Sequence, residues 1–229
     1  MFRHQICLLC HEPVDKLSEF SCLCAACAQD LTVLYHDTTD KCPICAKKSV
    51  GNAVCGACQK ESPIVNKLWA SLHYQFPIPA LLHEFKHVQH IAYGQLLAEL
   101  MLANPPLWLP ETKIDGVLAM PMSTKRRVFR GFNQCDELAR WITQHYHLPL
   151  LPIDTVQRQH RPPQSTLKKA TERKANIRAA FCVHHNVKNR KILIIEDLMT
   201  TGSTIFELAR TLRKSGVNEI YVWLLARNL

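Results

Sequence analysis

Along this 229-residue chain the spacing of apolar residues changes from segment to segment, and each spacing predicts an element. From residue 67 to 76 they alternate, as Leu68, Ala70, Leu72, Tyr74 and Phe76, which predicts a strand with one buried face. Pro77 and Pro79 then start a helix whose buried side carries Leu81, Leu82, Phe85 and Val88. His83, His87 and His90 fall on its polar face, and Lys86, between apolar positions, either reaches the site or, as preferred, lays a packed stem with its head in water. Residues 92 to 102 predict a second helix through Leu96, Leu97, Leu100 and Met101, with Pro105, Pro106 and Pro110 breaking the chain after it. A strand is expected over 116–120, followed by a helix over 133–145 through Cys135, Leu138, Ala139 and Ile142. Four consecutive aliphatics, residues 192–195, suit a central parallel strand covered on both faces. The period turns helical again at Ile205, Leu208, Ala209 and Leu212, and residues 220–225 form a last buried strand. Strands alternating with helices predict an open α/β sheet.

The first 64 residues lack that pattern and carry cysteine instead. Nine of the eleven cysteines precede residue 59, and eight form Cys-x-x-Cys pairs: Cys7/Cys10, Cys24/Cys27, Cys42/Cys45 and Cys55/Cys58. A pair at this spacing aims both sulfurs at one metal, and two pairs complete a tetrahedral Zn²⁺ site. The expected grouping is sequential, with Cys7, Cys10, Cys24 and Cys27 on one zinc and Cys42, Cys45, Cys55 and Cys58 on the other. A cross-braced grouping, first pair with third and second with fourth, stays open. Cys22, Cys135 and Cys182 are left as spare buried thiols. So little apolar material precedes residue 64 that the zinc sites must be structural. The boundary divides a double zinc-ribbon module, 1–64, from a second domain, 65–229.

Composition changes this picture little. Charged residues make up 21% and apolar ones 47%, as in folded globular proteins. The first residues form no secretory signal, and no run approaches the roughly 20 apolar residues that cross a membrane. A cytoplasmic protein without membrane insertion is expected, whose cysteines stay reduced.

Charge is more informative because it is uneven. The net formal charge is +9, yet residues 1–65 carry six Lys/Arg against seven Asp/Glu. Four thiolates on each zinc add about −2 more, so this module is a poor match for nucleic acid. Residues 154–191 carry ten Lys/Arg against two acids, and Lys125, Arg126, Arg127 and Arg130 stand in an acid-free stretch after the strand at 116–120. That loop lies at the sheet edge where α/β proteins bind ligands. Residues 158–181, with Pro162-Pro163 and few apolar positions, read as a long excursion. It would serve as a lid excluding water, or as a flap touching DNA, through Lys168, Lys169, Arg173 and Lys174.

The chemistry concentrates after residue 195. Glu196 and Asp197 stand at the carboxyl end of the aliphatic strand, followed by Thr200, Thr201, Gly202, Ser203 and Thr204 at a helix start. Hydroxyls and unpaired helix N–H groups form an anion cradle, and the acids accept from sugar hydroxyls or hold Mg²⁺. A ligand that is both sugar and phosphate is implied. This stretch resembles the phosphoribosyl-pyrophosphate (PRPP) motif of type I phosphoribosyltransferases. That resemblance implies the acids contact ribose, the Thr/Gly/Ser loop holds the 5′-phosphate, and Arg126, Arg127 or Arg130 hold the diphosphate. Two departures matter. Purine-salvage relatives place an Asp base where Thr200 stands, and amidotransferase relatives begin with a Cys where Phe2 follows Met1.

Almost the whole chain is similar to the ComF/GntX-type competence proteins. The resemblance is carried by the four cysteine pairs, by Arg130-Gly131-Phe132-Asn133-Gln134, by the spacing of Gln164, Leu167, Arg173, Asn176 and Phe181, and by the final acidic motif. It implies a type I phosphoribosyltransferase-like, mostly parallel sheet after a zinc module, two structural zinc ions, and Mg²⁺ with PRPP. It further implies a role in DNA uptake and natural transformation, with single-stranded DNA and other competence proteins as partners. Whether PRPP is turned over, making this an active phosphoribosyltransferase with an unidentified acceptor, stays open.

Overall fold

The computed structural model describes residues 6–14, 18–37, 39, 41–60, 64–88, 91–159 and 180–228. Its centre is a four-stranded sheet, wholly parallel, in the order β1 (Lys67–His73), β6 (Glu219–Arg227), β5 (Lys191–Met199), β2 (Gly116–Ala119). Leu150 extends it beside β2 through a parallel bridge to Val117. The expected mostly parallel α/β class is therefore observed. Helices α3 (Ile78–His83), α4 (Ile91–Ala103), α5 (Thr124–Arg130), α6 (Gln134–Tyr146) and α7 (Ser203–Lys214) join the strands, after α1 (Ala25–Leu31) and α2 (Gly56–Lys60).

The unbroken apolar runs of β5 and β6 serve two layers. Leu193, Ile195, Tyr221, Trp223 and Leu225 enter one core with α3, α4 and α6. Ile192, Ile194, Ile220, Val222 and Leu224 enter the other with α7. Successive strand side chains point to opposite faces, so only a continuous run can feed both. The two cysteine-rich stretches divide the same way. Cys7, Phe20, Leu23, Leu31 and Leu34 join the first core, and Ala46 joins the second with Ile44 packed against it.

Several element ends differ from expectation. Strand β1 stops at His73, short of Phe76, which is exposed. After α3 the chain winds into a π-helical turn, Glu84–Val88. The basic loop after β2 is itself helical in α5, and β5 runs past both acids to Met199. Two short strands, β3 (Val156–Arg158) and β4 (Phe181–Val183), pair antiparallel, with Arg158 opposite Phe181. The expected excursion thus leaves and returns at one point. Lys168, Lys169, Arg173 and Lys174 lie outside the described residues, as do Gln164, Leu167, Asn176 and His90.

A buried polar network ties the first core together. Trp223 Nε1 donates to Ser71 Oγ at 2.8 Å, and Ser71 Oγ donates to Asn104 O at 3.0 Å. Asn104 Nδ2 donates to the carbonyls of Ser71 and His36 at 2.8 and 2.9 Å. Removing one partner strands the rest in a dry interior. Ser71→Ala should lower unfolding free energy by about 1–3 kcal/mol, read from denaturant midpoints, because the Trp223 indole loses its acceptor. A change within error would show that the network contributes nothing.

Candidate functional site

All strands of the main sheet point their carboxyl ends to one edge, and the acids of β5 lie there. Glu196 and Asp197 are both buried. With Lys86, Arg126, Arg130, Gln134, Cys135 and Arg158 they line a cleft of about 200 Å³. Lys86 Nζ is ion-paired to Asp197 Oδ2, and Gln134 Nε2 donates to the same oxygen at 3.3 Å. The amide of Leu198 donates to Asp197 Oδ1 at 2.9 Å. Arg130 Nη1 in turn holds Gln134 Oε1 at 2.6 Å. Glu196 Oε1 receives Cys135 Sγ at 3.4 Å and the Asp197 amide at 3.2 Å, and its carboxyl is also hydrogen-bonded to that of Asp197.

The two acids consequently differ. Burial drives Glu196 well above its ordinary range, and the neighbouring Asp197 charge adds to this. Burial also pushes Asp197 upward, but Lys86 and the surrounding donors hold it below its ordinary value. The surroundings thus favour the neutral form of Glu196 and the charged form of Asp197. Burial raises the Cys135 thiol too, and negative charge on the acid pair adds to the effect.

Next along the chain, Gly202 caps α7 with φ 82°. A Cβ there would collide with Met199 Cε and the Phe206 ring, so only glycine fits. Thr201 and Ser203 hydroxyls meet at 2.9 Å beside the first turn of α7, and Thr200 and Thr201 are exposed. The expected cradle residues are thus at a helix start open to solvent, where N–H groups lack intrahelical acceptors.

The basic residues separate. Arg126 and Arg130 line the cleft at helical spacing, whereas Arg127 turns away to pair with Asp136. Asn133, whose side chain accepts from the Cys135 amide and donates to Met120 O, fixes the start of α6 behind them. Two further cations join them. Lys86 takes the less favoured of its two expected placements, reaching Asp197 from the π-helical turn, and Arg158, which was not anticipated here, arrives on β3 with its guanidinium 5.6 Å from the Phe181 ring. Beside the cleft, sharing Pro121, Met122 and Asn133 with it, opens a more apolar groove of about 800 Å³.

The cysteines form two candidate metal centres. Sulfurs of Cys7, Cys10, Cys24 and Cys27 lie within 4.8 Å of one another, as do those of Cys42, Cys45, Cys55 and Cys58. The grouping is sequential, not cross-braced. Both are built alike: a knuckle ending in a positive-φ residue, His11 or Ala46, faces a pair carried by a helix start, α1 or α2. Cys10–Cys24 and Cys45–Cys55 sulfurs are 3.7 and 3.6 Å apart. Four sulfurs about 2.3 Å from one ion stand roughly 3.8 Å apart, so both tetrads fit a tetrahedral metal. A second observation supports the fit at the second tetrad. Arg227 is 1% exposed, and its Nε and Nη1 lack a hydrogen-bond partner among the described residues. Burial lowers its pKa, and negative charge on Cys45, Cys42, Cys58 and Cys55 opposes that. A metal-bound tetrathiolate would give this cation its counter-charge. Of the three expected spare thiols, Cys135 is buried, Cys22 half-buried and Cys182 exposed. Among the described residues no helix is long and apolar enough to cross a membrane.

The state of Glu196 has a measurable sign. Its folded pKa lies above its ordinary value of 4.5, so the native state binds more protons than the unfolded chain. Stability therefore falls as pH climbs from the unfolded value through the folded one. Between about pH 5 and about pH 8, melting temperature should drop less for Glu196→Gln than for the unmutated protein. Equal drops would contradict a neutral Glu196.

No protein-family model matches the chain. It is 28% identical to "DNA utilization protein YhgH" of Salmonella typhimurium over 232 residues, 98% of this chain and 97% of that protein. It is 24% identical to "Competence protein ComFC" of Bacillus subtilis over 226 residues, 92% and 90% of the two chains. A solved hypoxanthine phosphoribosyltransferase from Staphylococcus aureus overlaps 58% of this chain and 71% of its own, at 14% identity and a TM-score of 0.35. "Competence protein F" of Haemophilus influenzae is 31% identical over 183 residues, covering 76% of this chain and 78% of that protein. On that similarity, the chain belongs to the ComF-type competence protein family.

Proposed function

We propose that this protein acts in DNA uptake and natural transformation, handling incoming single-stranded DNA in the cytoplasm with a cleft that binds PRPP and Mg²⁺. The relatives' names, competence and DNA utilization, support the first half. One observation carries the second: two adjacent buried acids, one paired with Lys86, lie in a cation-lined cleft just before a glycine-capped helix start.

In this reading Thr200, Thr201, Gly202, Ser203 and Thr204 hold the 5′-phosphate through hydroxyls and helix N–H groups. Asp197 and Glu196 accept from the ribose hydroxyls or hold Mg²⁺, which would neutralise diphosphate charge. Arg126, Arg130, Arg158 and Lys86 supply positive charge around the diphosphate, and Arg127 instead anchors α5. The tetrads hold two structural zinc ions, so the chain divides into a zinc module up to residue 64 and a ligand-binding domain beyond it.

A second reading has its own observation. The groove that shares Pro121, Met122 and Asn133 with the cleft would seat an acceptor beside the ribose. In that case the protein is an active phosphoribosyltransferase with an unidentified acceptor, and pyrophosphate release in the acceptor's presence distinguishes turnover from binding alone.

Titration calorimetry should detect PRPP binding that requires Mg²⁺. Asp197→Asn, which keeps shape but loses charge, should weaken it about 10- to 100-fold. Gly202→Ala should weaken it as well, since the cap must change its backbone. Absence of binding by the unmutated protein with Mg²⁺ present would remove the reading. Metal analysis should find two zinc ions per chain, and a strong chelator should lower the melting temperature. A fully folded, metal-free protein with the same melting temperature would rule out structural zinc.

A further inference from the structure

Helix α5 contradicts the usual division of a surface helix into a buried apolar face and a wet polar one. Its largest apolar residues, Val128 and Phe129, are 78% and 90% exposed, while its arginines face inward or along the cleft. No residue of the helix is buried. Its ends are nonetheless fixed. Ser123 at the N-cap is buried, Gly131 closes the C-terminus with φ 85°, and Arg127 is tied to Asp136. Phe129 therefore stands on a held scaffold one helical turn from exposed Lys125, in a stretch with no acid from 121 to 134.

We infer that α5 is a base-stacking platform for single-stranded nucleic acid, with the Phe129 ring receiving a base while Lys125 meets a flanking phosphate. This rests on the DNA-handling reading above and adds the contact surface to it. A ring amid cations suits a ligand that offers π faces and a polyanionic backbone together. Bases of a duplex are already stacked on one another, which leaves unpaired bases as the fit. Self-association through this helix is opposed by charge, since it would bring basic surfaces of a +9 chain together. Two adjacent apolar residues on a seven-residue helix also make a poor lipid anchor.

Binding of a labelled oligothymidylate, followed by fluorescence anisotropy across a salt series, tests this. Phe129→Ala should weaken binding about 5- to 150-fold with the salt slope unchanged, because stacking releases no counterions. Lys125→Ala should weaken binding and lower the salt slope by roughly one. Phe129→Trp should retain affinity and gain fluorescence quenching as the oligonucleotide binds. Phe129 is 90% exposed, so Phe129→Ala should keep the melting temperature of the unmutated protein, which serves as the check on folding. If the unmutated protein binds no oligonucleotide, the DNA-handling reading fails and this inference with it. If it binds and Phe129→Ala binds equally well, the platform alone is overturned. Sedimentation showing a dimer that Phe129→Ala dissolves would also overturn it, assigning the ring to a second copy of the chain.

Discussion

Two neighbouring carboxylates inside a sheet covered on both faces cannot both carry full charge, since no bulk water screens them and few donors reach them. In this protein the difficulty is resolved asymmetrically. Lys86, Gln134 and the Leu198 amide converge on Asp197, while no cation pairs with Glu196 among the described ion pairs, and it meets a thiol, an amide and the Asp197 carboxyl. The arrangement requires the π-helical turn that brings Lys86 in, the Asn133-anchored start of α6 that brings Gln134 and Cys135 in, and the parallel register that buries the end of β5. The fold's main elements meet at this pair. A ligand that offers hydroxyls or a divalent cation finds acceptors already desolvated, and cations around them suited to phosphate.

The cysteine-rich stretch contributes from both sides of the sheet rather than from one end. Its first half shares a core with α4, where Ser21 donates through its amide and hydroxyl to Glu99 at 3.0 and 2.6 Å. Its second half packs on the other layer and sets four thiolates near the buried Arg227. That arginine ends β6, and the next residue donates its amide to Met199 O, just before the Thr/Gly/Ser turn. The second cysteine tetrad and the end of β5 are thereby joined through one strand end.

Much of this was legible because burial leaves periodic marks. The four aliphatics of β5, the period of α6 and the paired cysteines each reflect a constraint that acts on neighbours in sequence. Glu196, Asp197 and the Thr/Gly/Ser turn were readable for the same reason, although β5 continues two residues beyond Asp197 because Leu198 and Met199 still pair with Ala226 and Arg227. The missed features depend on partners far along the chain. Arg158 enters the cleft through pairing of β3 with β4, more than twenty residues apart. Lys86 sits in a turn whose period is neither 3.6 nor 2, so helical spacing misdirects it. Nor does an acid-free run of arginines announce which of them will find Asp136. In that stretch, the i, i+4 relation of Arg126 and Arg130 was the one usable signal.

Backbone amide hydrogen exchange over residues 200–206, followed with and without Mg²⁺–PRPP, tests the central claim most directly. If the start of α7 holds the 5′-phosphate, exchange of these amides slows on adding the ligand, and Gly202→Ala abolishes the slowing. Ligand binding that leaves their exchange unchanged would contradict the account, placing the phosphate elsewhere.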